Sequence, residues 1–191
     1  MRGCPRLLSV ASPVTPDYSA LVARWEWPPW LELTGFNASN MEGLDEIVRS
    51  GEPATIPLRE CRPFETQPFV RCRISFEYDG GPCPIYEEFT FNQQGQTTFI
   101  EAWSDQPGSL PMADAGDPWG EGADVHRLST KLPGLGDPDG LIDLDAGYMA
   151  AAAAGDPDIA AFVYAAGDFW GAWIAAELDA GSTLLKRGCG W

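Results

Sequence analysis

The chain has 191 residues, 45% of them apolar and 12% aromatic, and a formal net charge of −16 from 12 Lys+Arg against 28 Asp+Glu. That length suits one decorated domain or at most two small ones. The apolar fraction is enough for a real core and excludes wholesale disorder. An isoelectric point near 4.2 excludes unaided binding to nucleic acid or anionic lipid, which needs a basic face to release counterions.

No run of 18 apolar residues occurs, so no membrane span is expected. The stretch from Met1 to Pro13 is too short in apolar residues to read as a signal peptide. A cytoplasmic protein is the resulting expectation. The acid excess is uneven: residues 1–104 carry 14 acids and 8 bases, residues 105–191 carry 14 acids and 4 bases.

Residues 1–35 are rich in Pro and Trp, with Trp25-Glu26-Trp27-Pro28-Pro29-Trp30 at their centre. A short helix is expected from Asp17 to Trp25, stopped by Pro28-Pro29. The tryptophans are expected to plug the core of a sheet. Asn40 to Ser50 reads as a second helix: Asn40 caps it, Met41, Leu44, Ile47 and Val48 form its apolar stripe, and Gly51 ends it.

Residues 69–104 carry the strongest local signal. Val70, Cys72, Ile74, Phe76 and Tyr78 alternate with Arg71, Arg73, Ser75 and Glu77, as in a strand with one apolar face. A turn at Asp79-Gly80-Gly81-Pro82, a strand from Cys83 to Phe91, a hairpin loop at Asn92-Gln93-Gln94-Gly95 and a strand from Gln96 to Trp103 complete an antiparallel meander. A loop with Gly95 in the left-handed conformation pairs Asn92 with Gln96. Continued without a break, that register sets Phe89 against Phe99, Glu87 against Glu101, and Ile85 against Trp103. Pairing Tyr78 with Cys83 joins Phe76 to Ile85 and Ile74 to Glu87.

Residues 105–140 read as loop, with a short strand or edge segment at Val125 to Leu132. An Ala-rich helix is expected within 141–154, centred on Tyr148 to Ala154. Asp156-Pro157 then has the form of a helix cap followed by a first-turn proline. Ile159, Phe162, Val163, Ala166, Trp170, Trp173, Ile174 and Leu178 follow at helical spacing, with a break at Gly167-Asp168.

Five cysteines without a CxxC pair give no zinc or thioredoxin-like motif. They are expected to be mostly reduced and buried; the rival is one or two disulfides, such as Cys4–Cys189. His126, the single histidine, excludes any mechanism needing two. Asp137 to Asp145 has the Asp-Gly-x-Ile core of a calcium loop but lacks the closing glutamate, so no metal is expected, nor any cofactor.

The pair Glu87 and Glu101 is the candidate for chemistry. Two carboxyls opposite each other on an apolar face are relieved when one takes up a proton, and such a pair can supply an acid and a base. The rival is that the register differs, or that an arginine such as Arg24, Arg59 or Arg62 pairs with one of them. Tyr86 and His126 are weaker accessories. Tyr86, Phe89, Phe99, Trp103, Ile74 and Phe76 are the expected contacts for an apolar small molecule.

From Tyr86 through Asn92-Gln93-Gln94-Gly95 to Trp103-Ser104-Asp105 the chain resembles the last hairpin of the nuclear transport factor 2-like superfamily, which includes the SnoaL-like proteins. The resemblance covers about residues 36–105. It implies an α+β fold in which a curved antiparallel sheet wraps around helices to form a cone-like pocket. Members include steroid isomerases, polyketide cyclases, dehydratases, epoxide hydrolases and noncatalytic binders. Either a cofactor-independent enzyme or a binding module is therefore expected, with residues 106–191 as an acidic loop and helical extension packed on the core. That extension would cap the cone, stand apart as a subdomain, or form a homodimer surface.

Overall fold

The computed structural model describes residues 17–27, 34–51, 55–66, 69–78, 80–122, 126–135, 139–179 and 181. Six strands and four helices follow in the order β1 (Tyr18–Glu26), β2 (Gly35–Phe36), α1 (Ala38–Gly51), β3 (Thr55–Pro63), β4 (Phe69–Tyr78), β5 (Gly81–Phe91), β6 (Thr97–Ser104), α2 (Gly147–Gly155), α3 (Pro157–Gly167) and α4 (Phe169–Asp179). The strands form one sheet in the order β2-β1-β6-β5-β4-β3. All neighbours are antiparallel except β1 and β6, which are parallel. The fold is α+β, as expected.

The expected helix at Asp17 to Trp25 is instead β1. This segment lies between β2 and β6 and buries side chains on both faces: Val22 and Arg24 on one, Ala23 and Trp25 on the other. Two ladder partners satisfy its backbone, and that tertiary pairing overrides local helix preference. β1 lies within the expected N-terminal segment 1–35, so a core confined to 36–105 would lack one of the sheet's inner strands.

The helix read from Asn40 to Ser50 is present, but its cap is Asn37. The Asn37 Oδ1 accepts from the backbone N–H of Asn40 at 3.0 Å. Asn37 holds a left-handed φ of 69°, a conformation asparagine tolerates better than most residues. Met41 and Leu44 are buried as expected. β3 has no counterpart in the sequence reading. It is an edge strand with charged, mostly exposed residues and two prolines, the composition that hides an edge strand from an apolar-pattern search.

The hairpin loop forms as expected: Gly95 has φ 84°, and the Asn92 backbone N–H donates to the Gln96 carbonyl at 3.0 Å. Phe91 then pairs with Thr97, but the next pair is Thr90 with Phe99. Thr98 is an extra residue, a β-bulge, and beyond it the register is one residue off the expected one. Glu101 lies opposite Glu88, and Glu87 opposite Ala102. At the first turn Tyr78 pairs with Gly81, so Ile74 faces Ile85 and Cys72 faces Glu87. That shift is two residues and leaves the faces as expected.

The sheet is covered on both sides. On one face, Val22 packs with Met41 and Leu44 of α1, and Cys72, Ile74, Phe76, Cys83, Ile85, Phe89 and Ile100 form a contiguous apolar wall. On the other, Trp25, Trp27, Tyr86, Phe99 and Trp103 pack with Met149, Ile159 and Phe162 from the C-terminal helices. Trp25 and Trp27 thus fill a sheet core, as expected; Trp30 lies outside the described residues. Phe162 meets Trp25 and Phe99 edge-on. Phe169 of α4, by contrast, belongs to the cluster of Val22, Met41 and Leu44. The extension therefore passes from the second face to the α1 side.

The Ala-rich helix is α2, the Asp156 side chain caps α3 by accepting from the Asp158 and Ile159 N–H groups, and Pro157 opens that helix. The break at Gly167-Asp168 separates α3 from α4. Within the expected strand at Val125 to Leu132, Ser129 to Lys131 form a turn, and Arg127 and Leu128 are buried. Cys61 and Cys72, directly opposite on β3 and β4, form a disulfide. Cys83 is also disulfide-bonded. The expectation of mostly reduced thiols is thus overturned; Cys4 and Cys189 lie outside the described residues.

A buried ion triad ties the acidic loop to the sheet. Glu88 Oε1 accepts from Arg71 Nε and Nη2 at 2.9 and 2.7 Å. Arg127 Nε donates to Glu88 Oε2 at 2.6 Å and its Nη2 to Oε1 at 3.0 Å. The remaining guanidinium N–H groups reach the carbonyls of Pro111, Pro118, Gly120 and Gly122. All three charged side chains are buried, so removing one partner strands charge away from water. Glu88→Gln is expected to lower unfolding free energy by roughly 3–5 kcal/mol in urea titrations; a loss within the scatter of surface substitutions would show that the triad contributes no net anchoring.

Candidate functional site

The structure separates the two expected acids. Glu87 points to the α1 face with Ile74, Phe76 and Phe89, and Glu101 points to the opposite face with Tyr86, Phe99 and Trp103. They cannot act as one acid–base pair across a shared cavity. The expected apolar contacts divide between the two faces in the same way.

Glu101 is buried beneath the extension. Its Oε1 accepts from Trp27 Nε1 at 2.8 Å and from the Leu128 backbone N–H at 2.5 Å, and its Oε2 from the Ser129 backbone N–H at 3.1 Å. Burial pushes its carboxyl up to about 7, against the pull of these donors. Trp27 shields it from the surface and carries the exposed His126 ring at 4.1 Å between centroids. His126 Nε2 in turn meets Asp158 Oδ2 at 2.7 Å, and Lys131 Nζ reaches the same oxygen at 2.6 Å. This arrangement staples the loop at 126–131 and the start of α3 to the sheet. Both Glu101 oxygens accept hydrogen bonds within it, which is the pattern of a structural anchor.

The like-charged pair predicted by strand alternation does exist, but it is Glu88 with Glu101. Two arginines engage Glu88, and burial raises the Glu101 carboxyl.

The α1 face carries a different constellation. Arg24 lies between two acids: its Nε and Nη2 donate to Glu26 Oε1 at 3.1 and 2.8 Å, and its Nη1 donates to Glu87 Oε1 at 2.6 Å. Burial disfavours the Arg24 charge, but Glu87 and Glu26 more than offset it and hold the guanidinium firmly protonated. Among the described residues, no hydrogen bond reaches Glu87 Oε2, although the residue is only 6% exposed. Tyr78, on the same face, feels the charges of Glu26, Arg24 and Glu87; burial first, and Glu26 next, push its hydroxyl up to about 12. No described residue bonds that hydroxyl. Tyr18 OH donates to Asp45 Oδ2 of α1 at 3.0 Å, and burial followed by Asp45 raises its hydroxyl further.

Glu87 and Tyr78 thus share the face of Ile74, Phe76 and Phe89, with Tyr78 six residues along β4 from Cys72, the residue opposite Glu87. Arg24 and Glu26 escaped the sequence reading as site residues because their segment was taken as a helix. Read with period two, Tyr18, Val22, Arg24 and Glu26 fall on one face, and the polar pair stands out there. Among the described residues, no group of three or more His, Cys, Asp or Glu could hold a metal, and no helix is long and apolar enough to cross a membrane.

No family model matches the chain, and no curated protein matches it. Several solved structures align with part of it, two of them as follows. One is a de novo designed protein with a curved β-sheet, at 15% identity and a TM-score of 0.35, over 48% of this chain and 67% of that one. The other is an NTF-2 like protein of unknown function from Burkholderia xenovorans LB400, at 17% identity and a TM-score of 0.35, over 56% of this chain and 77% of that one. Neither alignment is close enough to carry an argument about function.

The titration of Glu101 has a definite sign. A carboxyl whose folded value lies above its unfolded value of 4.5 stabilises the fold fully below that value, and the contribution is lost as pH rises through about 7. Wild-type stability relative to Glu101→Gln should therefore fall between pH 4.5 and about 7, by on the order of 3 kcal/mol. Parallel denaturation curves of the two proteins across that range would show a carboxyl that ionises without cost.

Proposed function

We propose that this is a small-molecule pocket protein whose ligand sits on the α1 face, with its polar end toward Arg24, Glu87 and Tyr78. The observation that carries the reading is the buried Arg24–Glu26–Glu87 cluster on an otherwise apolar wall, with Glu87 Oε2 and the Tyr78 hydroxyl unengaged by described residues. Ionic groups on an apolar face cost free energy unless other groups use them. An apolar skeleton bearing one carbonyl suits this wall. Tyr78 would donate to the carbonyl oxygen, and Glu87 Oε2 would take a proton from the adjacent carbon or hold a ligand donor. Arg24 would fix the Glu87 carboxylate in place.

The enzyme reading is carbon-acid proton transfer of the isomerase, lyase or cyclase kind. The second reading is a noncatalytic binding module. It is favoured by the Arg24–Glu87 contact itself, because a carboxylate already engaged by a guanidinium also serves as fixed structure. The earlier expectation that Glu101 shares the catalysis has no support from the geometry and is set aside. Two disulfide-bonded sites point to an oxidising compartment in place of the cytoplasm.

The neutral dye Nile red, which carries one carbonyl, tests the pocket. Saturable binding is expected, weakened about three- to tenfold in Tyr78→Phe by loss of one hydrogen bond. Cyclohexanone in deuterated water tests the chemistry. Exchange of its α-protons, followed by NMR, should be accelerated by the wild type and not by Glu87→Gln. Dye binding without exchange would decide for the binding module, and no saturable binding would overturn the pocket.

A further inference from the structure

One row of paired residues crosses the sheet through Glu87. It runs Cys61, Cys72, Glu87, Ala102 and Glu26, each directly opposite the next on β3, β4, β5, β6 and β1. The Cys61–Cys72 disulfide therefore has a buried carboxylate as its neighbour across the ladder. Directly opposite residues have Cβ atoms about 4.5–5.5 Å apart, a spacing that the further bonds of the Glu87 side chain can close. Arg24 holds one oxygen of that carboxyl, Oε1, at 2.6 Å, and no described residue donates to the other. Cys83 is disulfide-bonded too, but the residue opposite it is Phe76.

The two bonded cysteines differ in access. Cys61 is partly exposed on the edge strand β3, whereas Cys72 is 1% exposed on β4, between β3 and β5. We propose that this disulfide is a thiol–disulfide exchange site, at which a small-molecule thiol attacks Cys61 while Glu87 gives and takes the proton of Cys72. Attack comes at Cys61 because that residue meets solvent, and Cys72 is then the leaving sulfur. A staple between two strands needs no carboxylate beside it. A buried thiol that must gain and lose a proton does.

The steps balance as ordinary exchange. A thiolate of the small molecule attacks Cys61 Sγ and forms a mixed disulfide, and the Cys61–Cys72 bond breaks with its electron pair on Cys72. A Cys72 thiolate beside the Glu87 carboxylate would set two negative charges together away from water, so the leaving sulfur takes up a proton, which Glu87 relays from water. A second thiolate attacks the small-molecule sulfur of the mixed disulfide, and Cys61 leaves and is protonated by water. Two small-molecule thiols have become one disulfide, two electrons have passed to the protein, and Cys61 and Cys72 end as thiols. In the reverse direction Glu87 takes the Cys72 proton, and the thiolate so formed re-forms the bond to Cys61 and expels the small-molecule thiolate.

This inference goes beyond the pocket reading. It shares Glu87 with that reading but needs no ligand on the apolar wall, so the two stand or fall separately. Arg24 anchors the carboxyl in either case.

The first test is mass-spectrometric peptide mapping of the folded wild-type protein after incubation with reduced glutathione and alkylation. Glutathione on Cys61 with the alkyl label on Cys72 is expected. No exchange at this pair, or glutathione on Cys72 in place of Cys61, overturns the site. The second test is the rate at which the Cys61–glutathione adduct re-forms the bond to Cys72. Glu87→Gln is expected to slow it by roughly tenfold or more, and Glu87→Asp to recover part of that loss. A merely structural Glu87 would loosen the fold on substitution and speed the exchange, so an unchanged or faster rate overturns the proton role. If Glu87→Gln does not fold, the Glu87→Asp rate decides: slower than wild type supports the role, and equal or faster overturns it.

Discussion

One extra residue in β6 decides where the acids of this protein go. Thr98 bulges out of the β5–β6 ladder, and from Phe99 onward each side chain of β6 faces a partner one place removed from an unbroken hairpin. Because a strand alternates faces with period two, this one-residue step carries Glu101 to the side of Glu88 and leaves Glu87 on the other side. Both faces of the sheet are buried, so each acid had to find its own solution. Glu88 takes two arginines, Glu101 takes two backbone N–H groups and an indole, and Glu87 takes Arg24.

Those three solutions differ in what they leave over. In the Glu88 triad and the Glu101 cradle both carboxylate oxygens are bonded, and each ties the loop between the sheet and α2 to the extension face. In the Arg24 cluster, no described residue donates to Glu87 Oε2, and none bonds the Tyr78 hydroxyl on the same face. A satisfied network stabilises a single arrangement, while an unsatisfied buried group marks a place where a ligand can repay the desolvation.

The sequence reading recovered much of the local structure for physical reasons that act locally. Strict alternation marked β4, β5 and β6; Gly95 marked the hairpin loop; Asp156-Pro157 marked the start of α3, and Gly167-Asp168 its end. It misread β1, whose alternation is visible only once both faces are allowed to be buried. It overlooked β3, whose charges and prolines are those of a sheet edge. It also identified the right kind of problem, two carboxyls facing each other on a covered strand pair, but assigned it to Glu87 in place of Glu88.

The sequence by itself determined the element types over most of the described chain, the hairpin loop, the Asp156 cap of α3 and the acidic net charge, because turn chemistry, periodicity and charge are short-range properties. Only the tertiary structure decided the faces of Glu87 and Glu101, the pairing of Cys61 with Cys72, and the meeting of Arg24 with Glu87. A bulge leaves no mark in alternation, since it merely changes its phase. Strands distant in the chain come together through the packing of the whole sheet, which no local pattern encodes. The charge of −16 is thus the sum of unlike parts: solvated turns and caps and, among the described residues, the buried acids Glu26, Asp45, Glu87, Glu88 and Glu101, each with its own partner.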